Sequence, residues 1–144
     1  MSQTIKIGVV GYSGKPFDKA IAKEKLRSIL ESLIYEYDGQ NIELVSGYTN
    51  IGVPKIAYEI ADELCIHTVG FSAKEALNVD CGLYPVKKEI IFGEKFGDES
   101  EAFIKYIDVL IRIGGGAQSY SEVLLFKDIN KDQDLEEILI EADL

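Results

Sequence analysis

The sequence predicts an α/β fold: a Rossmann-like, doubly wound, mostly parallel sheet of about five strands with helices on both faces. Three observations lead to it. Short apolar runs alternate with amphipathic helical stretches along the chain. The runs are continuously apolar, as in parallel strands buried on both faces, and three of them end in Gly, Ser or Thr and pass straight into a helix. In an open parallel sheet such strand ends line one edge, where ligands bind.

The elements follow in order. Residues 4–10 read as the first strand, and residues 17–36 as a crossover helix, with Phe17, Ile21, Leu26, Ile29, Leu30, Leu33 and Ile34 at helical spacing among Lys and Glu. Asn41 to Val45 is the second strand. Pro54 suits the first turn of the next helix, where its missing N–H costs nothing, and that helix continues through Ile56, Ala57, Ile60, Ala61 and Leu64. A third strand is expected over 65–71, then an irregular segment broken by Gly82 and Pro85, then a short fourth strand from Glu89 to Phe92. Asp98 and Ser100 offer cap chemistry for a short helix through Phe103 and Tyr106, and Ile107 to Ile113 is the fifth strand. A helix from about Ser119 to Lys127 follows. Residues 1–127 thus read as the nucleotide-binding domain. Residues 128–144 read as an acidic helical extension whose stripe of Leu135, Ile138, Leu139 and Ala142 packs on the same domain or on a sister subunit.

Composition narrows the function. At 144 residues the chain is one ordinary domain that buries about two-thirds of its unfolded surface. Hydrophobic residues make up 47% and charged residues 28%, and no apolar run reaches membrane-spanning length, so no membrane partner is expected. The start, MSQTIKIGVV, enters a strand pattern without a basic region or cleavage site, which points to the cytoplasm. The net charge of −10 disfavours nucleic acid, since affinity for the phosphate backbone needs concentrated Lys and Arg. A small phosphorylated ligand stays compatible, because backbone amides hold phosphate without a basic surface. Cys65 and Cys81 stand outside any metal or redox spacing and read as reduced thiols.

The chemistry concentrates in the three turns. IRIGGGAQSYSE, Ile111 to Glu122, runs a strand through Gly114, Gly115 and Gly116 into a helix opened by Gln118 and Ser119, whose free amides and dipole favour an anion. IGVVGYSGKP supplies Gly11, Tyr12, Ser13, Gly14 and Lys15, and LVSGYTNIGVP supplies Ser46, Gly47, Thr49, Asn50 and Gly52. A glycine turn also serves merely to pack helix on sheet, but three converging turns favour a ligand. Two standard phosphate schemes fail. A Walker loop needs Gly where Val9 stands and a hydroxyl where Pro16 stands, and the dinucleotide fingerprint does not fit Gly8, Gly11 and Gly14 spaced three apart.

On these motifs the chain resembles the SLOG superfamily over about residues 5–127. That group includes the Lonely Guy cytokinin-activating phosphoribohydrolases and bacterial proteins described as lysine decarboxylase-like or as molybdenum-cofactor carriers. Gly11-Tyr12-Ser13-Gly14 matches its first turn, and Ser46-Gly47 with Ile51-Gly52-Val53 matches its second. Asp108 and Gly115 to Glu122 correspond to its Asp and PGGxGTxxE turn. Gly114 stands for the Pro, and Gln118, whose amide is long enough to reach a pocket, for the second glycine. Glu99 stands where the hydrolases carry an Arg, which removes a bidentate phosphate fork and adds repulsion. The resemblance implies a homodimer or higher homo-oligomer, and a nucleotide or molybdopterin-type ligand.

Several residues keep two readings. Glu122 is either a catalytic carboxylate that stabilises an oxocarbenium-like state or a helix-start Glu favoured by the dipole. Lys15 is a phosphate contact or a loop lysine. Asp98 and Glu99 read first as caps, and His67 as a core or strand-edge residue. Tyr12, Tyr48 and Tyr120 stack a base or simply lie at a solvated sheet edge. The sequence therefore favours a carrier or binding protein for a phosphorylated, ring-containing ligand. A nucleoside 5'-monophosphate phosphoribohydrolase using Glu122 is the first alternative and a ligand-sensing interaction module the second.

Overall fold

The computed structural model describes residues 4–12, 16–38, 40–48, 50–78, 82–95 and 98–144. Six parallel strands form one sheet in the order β4-β3-β2-β1-β5-β6. They are β1 (Thr4–Gly11), β2 (Asn41–Gly47), β3 (His67–Ser72), β4 (Lys88–Ile91), β5 (Val109–Ile113) and β6 (Leu139–Ala142). The helices are α1 (Lys19–Glu36), α2 (Gly52–Glu63), α3 (Ser100–Tyr106), α4 (Ala117–Ile129) and the single turn α5 (Leu135–Ile138). The Rossmann-like fold class is as the sequence predicts, with one strand more.

Each face of the sheet has its own core. Ile5, Ile7 and Val9 of β1 pack with Leu26 and Leu30 of α1 and with Ile56 and Ile60 of α2. Val10, Val45, Val69 and Leu110 face the other way, onto Phe103 and Ile104 of α3 and Val123 and Phe126 of α4. Alternate residues of one apolar strand thus feed both layers, which is why these strands show no polar face. Asp18 caps α1 by accepting the N–H of Ile21 at 3.1 Å.

The stretch 128–144 departs from the expected helical extension. After one turn of helix the chain extends, and Leu139 to Ala142 pair in register with Leu110 to Ile113. Leu139 packs on one core and Ile140 and Ala142 on the other, a period of two that suits a strand. The unpaired N–H and C=O groups along the free edge of β5 supply the partner, and this tertiary demand overrides the helical preference of Leu, Glu and Ala. Among the described residues no helix is long and apolar enough to cross a membrane.

Candidate functional site

The strand order reverses between β1 and β5. The chain leaves β1 toward β2 on one side and leaves β5 toward β6 on the other, so the loops after the two strands diverge at their carboxyl ends, the place where open parallel sheets take ligands. Gly11 and Ile113 are register partners at that point. A Cβ on Gly11 would lie 2.3 Å from the Ile113 carbonyl oxygen and 2.8 Å from Val53 Cγ2, so only glycine allows this approach. The Tyr12 carbonyl accepts the N–H of Val53 at 2.7 Å, which ties the first turn to the start of α2. On the other wall Ser119, buried in the first turn of α4, donates its hydroxyl to the Gly11 carbonyl at 3.3 Å.

The triple glycine divides its tasks. Gly114 and Gly115 have φ of +59° and +114°; Cβ atoms there would meet the Tyr12 ring and the Ser119 side chain. Gly116 has extended backbone, and its Cβ direction meets no atom of the described residues within 4 Å. It is also the N-cap of α4 and provides no side-chain cap for the first-turn amides. The first two glycines therefore shape the turn, and the third keeps space open beside the helix start.

The structure brings together Gly11, Tyr12, Gly52, Gly114, Gly115 and Ser119, with Gln118 exposed on the first turn of α4. Gly52 begins α2 with φ of +65°. Asn50 donates its N–H to the Gly82 carbonyl at 3.0 Å, while its Oδ1 is buried without a hydrogen-bond partner among the described residues. Ser46 corrects the sequence reading: it is fully buried, and its hydroxyl donates to the Val9 carbonyl at 2.6 Å inside the sheet. Gly47, in the same strand, accepts from the Tyr58 hydroxyl at 2.9 Å. Ser13, Gly14, Lys15 and Thr49, like Cys81, lie outside the described residues. Asp108 is far from the glycine turn along β5; it accepts the N–H of Lys6 at the opposite edge of the sheet.

The three tyrosines of the turns are already engaged. Tyr12 stacks on Phe17 at 5.8 Å, Tyr48 donates to Glu89 at 2.7 Å, and Tyr120 lies over Arg112 at 4.7 Å. His67 is exposed at the start of β3, where it borders a cavity of about 500 Å³ with Thr4, Gln40, Asn41 and Cys65. That cavity sits at the amino ends of the strands, away from the edge where parallel sheets take ligands. Among the described residues no cluster of three His, Cys, Asp or Glu is placed to hold a metal ion.

Glu122 lies three residues after Ser119 and so shares its inward face of α4. Its side chain is buried at 8% exposure, accepts the Ser100 hydroxyl at 3.2 Å, and stands near the charge of Glu99, itself buried. Burial pushes its carboxyl up to about 7; the Ser100 hydrogen bond opposes the rise and Glu99 adds to it. Glu122 is the sixth residue of α4, beyond the first turn in which the helix dipole acts most strongly. Asp98 is a loop organiser rather than a helix cap: it accepts the N–H groups of Lys95 and Glu94, which hold its carboxyl below the usual range. Glu99 is the N-cap residue of α3 by position but makes no side-chain cap bond.

Sequence reasoning missed Arg112. It is buried in β5, and its guanidinium donates to the Gly114 carbonyl at 2.8 Å, to Glu141 at 2.8 Å and to Asp143 at 3.0 Å. The available signal was a single arginine inside the apolar run Val109 to Ile113.

No family model matches the sequence, and the comparison with curated proteins finds no relative. Solved structures do resemble it. The molybdenum cofactor binding protein from the phototrophic bacterium Rippkaea orientalis superposes with a TM-score of 0.72 at 20% identity, covering 99% of this chain and 78% of that one. The molybdenum cofactor carrier protein from Chlamydomonas reinhardtii gives 0.66 at 18% identity, covering 97% of this chain and 90% of that one. These likenesses are in fold.

Proposed function

We propose that this protein binds a phosphorylated, ring-containing molecule, a nucleotide or a molybdopterin-type cofactor, at the switch-point crevice and carries it without consuming it. The observation behind this is the division of labour in the glycine turn, with open space at Gly116 beside the uncapped start of α4. The first-turn amides of α4 would hold the phosphate, and Ser119, bonded to the Gly11 carbonyl, would fix the wall beside it. Asn50 supports the reading, because its orphaned Oδ1 is an acceptor that a ligand N–H or hydroxyl would satisfy. The likeness to cofactor-binding and carrier proteins in the fold supports a carrier role.

The test uses Gly116→Val. Valine accepts the extended backbone at Gly116 and its side chain points into the open space, so binding of AMP should fall at least about tenfold while the melting temperature stays within a few degrees of wild type. Unchanged affinity in calorimetry would remove the phosphate site from this turn. Native mass spectrometry of the purified protein is expected to retain a small phosphorylated molecule. The same spectrum reads subunit number, for which we infer a homo-oligomer associating through α4, where Tyr120 and Leu124 are exposed one turn apart. A species of 16.0 kDa alone would overturn that assembly.

One observation favours a second reading. A buried carboxyl titrating near 7 is suited to N-glycosidic cleavage of a nucleoside monophosphate, in which Glu122 as a carboxylate would stabilise the developing oxocarbenium charge. Steady adenine release from AMP that rises with pH through about 7 and is lost in Glu122→Gln would establish the enzyme over the carrier.

A further inference from the structure

Arg112 places a buried cation directly under the glycine turn. Its side chain is 6% exposed; Nη1 donates to the carbonyl of Gly114, and Tyr120 in the first turn of α4 covers the guanidinium at 4.7 Å. The two carboxylates that neutralise it differ. Glu141, at 34% exposure, holds Nε from within β6, whereas Asp143 reaches Nη2 with a side chain that is 85% exposed. An ion pair to so exposed a carboxylate is screened by water and contributes little. The backbone around Asp143 is fastened independently: its carbonyl accepts from Lys25 Nζ at 2.7 Å, and the Ala142 carbonyl accepts from Gly114 at 2.7 Å. The carboxylate is therefore free to swing out without loss of the strand.

We infer that Arg112 is an anion-recognition residue of the crevice, and that the Asp143 carboxylate occupies its outer face until a phosphate monoester displaces it. This rests on the phosphate reading above and adds a residue and an exchange step to it. A phosphate presents two oxygens and up to two charges to a planar fork that Glu141 already orients, so it outcompetes one exposed carboxylate. No covalent bond changes; one ion pair is replaced by another.

The experiment is calorimetric titration of AMP and of inorganic phosphate into wild type, Asp143→Asn, Arg112→Lys and the double variant. Asp143→Asn should tighten binding of both anions about threefold to tenfold, because the internal competitor is gone. Arg112→Lys should weaken binding about tenfold, since lysine keeps the charge and loses the fork. In the double variant the gain from Asp143→Asn should vanish. An equal gain in the Arg112→Lys background would reduce the effect to general charge and overturn the inference. Unchanged affinity in Asp143→Asn, with a lowered melting temperature, would make Arg112 a strand clamp only. Should wild type bind while Gly116→Val does not, either of those outcomes sinks this inference alone; no binding by any of the proteins overturns the phosphate reading and this assignment together.

Discussion

Glu122→Gln is expected to stabilise the protein above neutral pH by about 3 kcal/mol and to leave it nearly unchanged at pH 4. The carboxyl moves from its ordinary 4.5 up to about 7 on folding, and each unit of such a shift is worth about 1.4 kcal/mol. Because the folded value is the higher one, the group's favourable contribution is fully present below about 4.5. It is lost as the pH rises toward 7, where the unfolded chain ionises freely and the buried site resists. Glutamine stays neutral throughout and still accepts the Ser100 hydroxyl, so the two proteins should diverge between about 4.5 and 7 and run parallel above. Urea titrations at several pH values read this directly. A difference independent of pH, or a loss of stability at pH 8, would show that Glu122 is not held in the environment described. A carboxyl kept at such a cost beside the proposed ligand site is what a functional role predicts.

Gly115→Val is expected to cost about 3 kcal/mol, in contrast to its neighbour Gly116→Val. At Gly115 φ is +114°, a region that strains any residue with a Cβ by about 1–3 kcal/mol, and the new atom would lie 2.7 Å from Ser119 Cβ. Ser119 is buried against Gly11 and cannot yield without opening the contact between α4 and β1. Loss of ligand binding in Gly115→Val would thus mix blockage with collapse of the turn. Equal urea midpoints for the two valine variants would contradict the division between shaping and open glycines.

Much of the fold could be read along the chain because its signals are local. Continuous apolar runs, a helical stripe from Phe17 to Ile34 and Gly–Ser–Thr turns each lie within a few residues of one another, and they led to the parallel sheet and to the edge bearing Gly11 and Gly114 to Gly116. The roles within that edge were less local. Ser46 looked like a ligand contact until β1 came alongside and offered the Val9 carbonyl 37 positions away. Leu139 to Ala142 looked helical because nothing near them in sequence announces the unpaired edge of β5.

The electrostatics lay further out of reach. Arg112 meets Glu141 and Asp143 across 29 and 31 positions, and Glu122 meets Ser100 across 22. Backbone preference and hydrophobic period belong to a segment, so the sequence by itself determined the elements from β1 to α4 and where the glycine turns fall, but not β6. Burial, charge pairing and the titration of a buried carboxyl belong to whichever segments meet, and only the packing of α3, α4 and β6 around the end of β5 decided them.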